Sequence, residues 1–178
     1  GNNIIPNLLR DKRNMYAFRF EGYWKDVGTI SSLWEANMEV LDPEHSGINL
    51  FDENWKIYSR NSGMTGHRLT SKAVVENSMI TDGCVVAGTV KHSILFAGVQ
   101  VEEGAIVEDS VIMGQTVIKA GAVVRHSIVA ENVTVGKNAI VGAIPKDGEK
   151  GVATVGSGVT IGDSAKIGPN AMIDHDVK

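Results

Sequence analysis

The chain has 178 residues, with 17 basic against 21 acidic side chains and one cysteine, Cys84. That length is enough to bury a core in one domain or two small ones, and the mildly acidic balance without a basic block argues against a nucleic-acid partner, whose phosphates call for clustered Lys and Arg. A lone cysteine excludes an internal disulfide and fits a reducing, cytoplasmic setting; no apolar run approaches the roughly 20 residues of a membrane span, and no signal peptide is visible.

In chain order, "NNIIPNLLRDKR" fits a short helix with Pro6 near its first turn. Gly1 is not an initiator methionine and the opening resembles the middle of an element, so the chain is expected to be a fragment. "MYAFRF" alternates Tyr16, Phe18 and Phe20 against Ala17 and Arg19, which predicts a strand with one buried face. "GYWKDVGT" is a tight turn, and Thr29 caps a helix whose stripe is Ile30, Leu33, Trp34, Met38 and Leu41. Asp42-Pro43 stops that helix. "NWKIYSRN", 54–61, predicts one more strand, and "NSGMTG" a linker. Residues 1–62 hold too little core for a complete domain and are expected to be the trailing edge of an α/β one.

From residue 63 onward the chain repeats. Val155, Ile161, Ile167 and Ile173 stand six apart, with the small or β-branched Val159, Ala165 and Ala171 four residues after the first three. The same six-residue step links Val101 to Val107, Ile118 to Val124, and Val129 to Val135 and Val141, with Ala105, Ala122 and Ala139 in the small position. A helix cannot keep such a period on one face, because six residues advance it about 600°. A coil of three short strands can, and hexapeptide repeats mark parallel β-helices. Ser78, Ser93, Ser110 and Ser127 follow a longer period, 15, 17 and 17 residues apart, so each coil drops residues at a corner; these serines are expected as turn residues. The period is looser over 73–95. "GAIPKDGEKGVAT", 142–154, interrupts it and is expected to be a loop that leaves the coil and returns. The fold class is therefore mainly β: a hexapeptide-repeat β-helix over 63–178 behind an α/β remnant.

The stretch from Tyr23 to Leu41, followed by "NWKIYSRN" and the hexads, resembles the bacterial glucose-1-phosphate adenylyltransferases over essentially the whole chain. The resemblance implies a left-handed β-helix that serves assembly and regulation, behind a nucleotide-binding domain. It implies an enzyme that joins ATP and glucose 1-phosphate into ADP-glucose and pyrophosphate for glycogen synthesis, as a homotetramer under a phosphorylated sugar effector. It also implies that Asp26 is the catalytic-site Mg²⁺ ligand. One carboxylate among phosphate and water ligands suits that ion. The family's Gly-rich nucleotide loop, its second metal carboxylate and its sugar-phosphate lysine are absent from this sequence, so the chain by itself is expected to be inactive.

Apart from that resemblance, Asp26 is a turn aspartate binding nearby amides, Tyr23 and Trp24 are packing groups, and Lys25 is a solvated residue or a phosphate contact. His92 and His126 precede Ser93 and Ser127 as a general base might in hexad acyltransferases, yet Asn77 and Asp109 hold the same place, which marks a polar corner. Cys84, four residues after Ile80, falls in the small inward slot as an inert core thiol. Arg10, Lys12 and Arg13, with Lys166, His175 and Lys178, are either effector ligands or solvated surface. Rival readings are another sugar-1-phosphate nucleotidyltransferase, such as a mannose-1-phosphate guanylyltransferase, a non-catalytic regulatory subunit, and a hexad acyltransferase.

Overall fold

A computed structural model describes residues 2–59, 61–146 and 151–178. Its repeat region winds through eighteen two- and three-residue strands, sorted in rotation onto three parallel six-stranded sheets. On the first sheet Leu69, Val86, Val101, Ile118, Val135 and Ile161 stand in register. On the second the stack is Val75, Val90, Val107, Val124, Val141 and Ile167. On the third it is Ile80, Leu95, Ile112, Val129, Val155 and Ile173. All three stacks point inward, and from Val86 to Ile161 their members are at most 2% exposed. Each such burial contributes on the order of 1.5–3 kcal/mol. Ala105, Ala122 and Ala139 are fully buried between them, where a larger side chain would collide with the opposite wall.

The six-residue step thus marks the inward positions, and the first strand of the coil is Arg68–Leu69. The break at 142–154 is shorter than expected. Val152 and Ala153 are already buried, and a strand runs over Ala153–Val155; residues 147–150 of that break lie outside the described residues. Despite the insertion, Val135 still pairs with Ile161 and Val141 with Ile167. Gly142, where the chain leaves the coil, has φ +70°, and a Cβ there would overlap the Arg125 carbonyl and the Ser127 hydroxyl. Glycine is required at that exit.

The corner between the second and third sheets carries the longer serine period. Asn77, His92, Asp109 and His126 occupy successive levels, all left-handed with φ between 37° and 48°, a conformation for which Asn, Asp and His are enriched. The next residue on each level is a serine. Ser93, Ser110 and Ser127 are completely buried. Each serine hydroxyl donates to the carbonyl two residues back, at 2.6–2.7 Å. The hydroxyls also accept amides from one level on: the Ser93 amide donates to the Ser78 hydroxyl at 3.1 Å, the Ser110 amide to the Ser93 hydroxyl at 3.1 Å and the Ser127 amide to the Ser110 hydroxyl at 3.2 Å. These serines do turn the chain, and in addition they form a continuous internal ladder that satisfies amides the sheets cannot reach.

The segment ahead of the coil attaches to the third sheet. Helix α1 spans Ile4–Arg10 and buries no residue. Helix α2, Ile30–Glu39, opens on a capping box in which Thr29 and Ser32 bind each other's backbone, which accounts for its sharp start. Its stripe of Ile30, Leu33, Trp34 and Met38 packs with Leu41 onto the outward Met79, Ile94, Val111 and Ile128 and onto Val152. Pro43 then begins the short helix α3, Pro43–Ser46.

The strands expected at 16–20 and 54–61 do not form among the described residues. Tyr16 is 92% and Phe18 89% exposed, and Trp55, Ile57 and Tyr58 are exposed as well. Alternation identifies an apolar face, but a strand also needs a neighbour for its backbone groups, and none lies beside these residues.

The ladder predicts a specific weakness. Ser110→Ala leaves the buried Ser127 amide without its acceptor and is expected to cost about 1–3 kcal/mol in denaturant-induced unfolding. Ser78→Ala, on the more exposed first rung, should cost less.

Candidate active-site turn

Residues 23–29 run back along α2, tied at both ends. At one end the Thr29 backbone amide donates to the Ser32 hydroxyl at 3.0 Å, and the Ser32 amide donates to the Thr29 hydroxyl at 3.1 Å. At the other, the Tyr23 hydroxyl donates to Glu39 Oε2 at 2.7 Å and Lys25 Nζ donates to Glu39 Oε1 at 2.6 Å. Lys25 Nζ also lies 3.0 Å from Glu35 Oε2, and its side chain is only 21% exposed. Glu35 and Glu39 sit four apart near the C-terminal end of α2, where neither the like-charge spacing nor the helix dipole favours them. Lys25 offsets both costs.

The electrostatics agree. Hydrogen bonding from Lys25, then from Tyr23, holds the Glu39 carboxyl below its usual range. The Lys25 ammonium is raised, first by its bond to Glu39 and further by Glu35, against an opposing desolvation. The Tyr23 phenol is raised by burial and by the Glu39 carboxylate. Lys25 is therefore a structural cation rather than a freely solvated residue. Tyr23 packs as expected, whereas Trp24 is 76% exposed.

Asp26 lies between these two ties. It is exposed, and among the described residues no hydrogen bond or ion pair engages its carboxylate. It does not bind the turn amides in the manner of an ordinary turn aspartate. Its oxygens fold back over Gly28, where a Cβ would lie 3.5 Å from Oδ1 and 3.7 Å from Oδ2. A carboxylate held on a fixed turn with both oxygens free is a suitable single ligand for a hard cation. No group of three His, Cys, Asp or Glu side chains converges among the described residues, so an ion there would draw its remaining ligands from elsewhere.

The other candidates separate. His92 Nδ1 lies 2.6 Å from Asp109 Oδ1 on the next level, and the His126 ring packs against Trp34 in a tilted contact, centroids 4.3 Å apart and planes at 53°. Trp34 Nε1 donates to the Asp109 carbonyl at 2.7 Å. Both histidines thus belong to the corner and to α2 docking, and neither is poised beside a nucleophile. Cys84 is 1% exposed, and burial pushes its thiol up, as an inert core thiol requires. Arg10 and His175 each pair with the adjacent aspartate, Asp11 and Asp174, and the structure gathers the six basic candidates into no common pocket among the described residues. Glu39 and Trp34 carried no functional signal in the sequence: their partners are 14, 16 and 75 residues away.

Comparison with known proteins places two families on the chain. The GlmU-like, C-terminal hexapeptide model matches residues 64–162, and the nucleotidyl transferase model matches residues 1–43. A glucose-1-phosphate adenylyltransferase of Geobacillus stearothermophilus is 50% identical over 106 residues, which is 60% of this chain and 27% of that protein. Proteins of the same name from Bacillus mycoides (strain KBAB4) and Bacillus cereus (strain ATCC 10987 / NRS 248) are each 53% identical over 106 residues, 60% of this chain and 28% of theirs. The match spans little more than a quarter of these relatives. No helix among the described residues is long and apolar enough to cross a membrane.

Burial against Trp34 lowers the His126 imidazole from its ordinary value, with a smaller opposing pull from Asp109. A histidine lowered on folding contributes stability above its unfolded value of about 6.5, and loses that contribution as pH falls from there toward the folded value. Hydrogen exchange over residues 30–41, corrected for intrinsic rates, should therefore show weaker protection at pH 5.5 than at pH 7.5. His126→Phe should reduce the difference.

Proposed function

The chain belongs to the GlmU-like C-terminal hexapeptide family, and from that premise we propose that it is the C-terminal part of a glucose-1-phosphate adenylyltransferase. The observation that carries the reading is the "WKDVGT" turn, 24–29, whose unengaged Asp26 carboxylate is fixed by α2 against the hexapeptide coil. The nucleotidyl transferase match over 1–43 and the names of the relatives support it. In the proposed reaction an oxygen of glucose 1-phosphate attacks the α-phosphorus of ATP, the α–β phosphoanhydride bond breaks, and pyrophosphate leaves.

Asp26 would hold Mg²⁺, which when bound neutralises charge on the attacking and leaving oxygens. This chain's own contribution is positional. The Thr29–Ser32 box sets where α2 begins, and α2 docks the turn on a stiff support. No "GxGxxG" phosphate loop occurs in these residues, so activity would require the nucleotide-binding part of a longer protein. The setting would be cytoplasmic, with the coil serving a homotetramer and a phosphorylated sugar effector.

The decisive test follows pyrophosphate release from glucose 1-phosphate with each of the four nucleoside triphosphates, using the full-length gene product. Release with ATP is expected, and Asp26→Asn should lower it by about 10³-fold or more. Release with another nucleotide, or with none, would assign the function to a rival. Independently, the terminal strands Lys166–Ile167 and Met172–Ile173 have a hydrogen-bonded neighbour strand on one side only among the described residues, and natural proteins cover such edges. The chain should scatter light as an oligomer at micromolar concentration, and a monomer would count against the assembly role.

A further inference from the structure

The Tyr23–Lys25–Glu39 contacts are more than the tying down of a loose end. Glu39 takes one donor on each carboxylate oxygen, and both donors lie on the short segment that carries Asp26. Besides the Lys25–Glu35 ion pair, that segment has no other described tie before Thr29: Trp24 is exposed and Val27 is half-exposed at 48%. Residues 13–22 before it likewise lack a partner strand. With the Thr29–Ser32 box fixed at the far end, the path between leaves Asp26 three residues after Tyr23 and three before Thr29. Release of Glu39 would leave that end of the turn to the Lys25–Glu35 pair alone and let the carboxylate swing about the other.

We propose that Glu39 is a positioning residue: by gripping Tyr23 and Lys25 it fixes where Asp26 presents its carboxylate to a divalent cation. The inference rests on the proposed nucleotidyl-transfer reading and adds to it a residue that touches neither substrate nor metal. It also gives Lys25 a role, as the bridge from Glu39 and Glu35 to the peptide that holds Asp26.

The test uses the full-length protein, with Mn²⁺ binding read by electron paramagnetic resonance and Mg²⁺ activation read by pyrophosphate release. Glu39→Gln is expected to weaken Mn²⁺ binding and raise the half-saturating Mg²⁺ by about tenfold, the scale of outer-shell effects on metal affinity. Lys25→Met should do the same, and the double variant should fall short of the sum of the two single effects, since both remove the shared Lys25–Glu39 bond. Ser110→Ala, in the buried serine ladder of the coil and away from the turn, supplies the control for a general loss of stability, and should lower the melting temperature without moving the metal constants. Wild-type metal constants in an active Glu39→Gln enzyme would overturn the proposal, as would an equal shift in Ser110→Ala. Loss of Mn²⁺ binding in both Glu39→Gln and Asp26→Asn, in a protein that releases pyrophosphate with no nucleotide, would support the grip and overturn the reaction instead.

Discussion

Everything in this structure depends on hydrogen bonds that run along the coil axis. Each two- or three-residue strand makes its backbone pairs with the strand one level before and one level after it, so no level is stable alone and the stack is cooperative only as an array. The inward aliphatics can be small and numerous because the three sheets bring three of them to each level. The corner serines then complete the backbone pairing where the strands end. A turn in a globular protein leaves such groups to water, whereas here Ser93, Ser110 and Ser127 are wholly buried and the hydroxyls must serve.

That rigid array gives the preceding segment its order. The chain ahead of the coil exposes Ile4, Leu9, Tyr16 and Phe18 and has only one firmly packed element, α2. Trp34 joins α2 to the corner in two ways, through its indole N–H on the Asp109 carbonyl and its ring on His126. The turn that bears Asp26 is gripped by α2 in turn. Local order thus passes outward from coil to helix to turn, and the turn's own sequence supplies little of it beyond Gly28 and Thr29.

Much of this was legible in the residues, for reasons that differ from place to place. The hexad positions were plain because a single physical demand, one inward side chain every sixth residue, recurs along most of the coil. The helix at 30–39 was plain from its cap and its stripe. The false strands at 16–20 and 54–61 show the opposite case: Tyr16, Phe18 and Phe20 alternate well, yet alternation says nothing about whether a partner strand exists. The serines were identified as turn residues from their spacing, but their burial depended on the level above and below. Asp26 was singled out by its resemblance to a known motif, and Glu39 escaped notice because a carboxylate at a helix end acquires meaning only from the residues brought against it.

The break at Gly142 has a consequence for how this molecule measures itself. The sheets keep register across it, with Val135 on Ile161 and Val141 on Ile167, although the level it interrupts is longer in sequence than the 17-residue levels below it. The stack therefore counts sides and ignores residues. Extra chain at a corner costs closure entropy that grows only logarithmically with its length, while a single residue added within a side would turn an inward valine outward and break the alignment of every level beyond. Insertions and deletions are free to accumulate at the corners of such a coil, and its faces keep their spacing as a ruler keeps its marks.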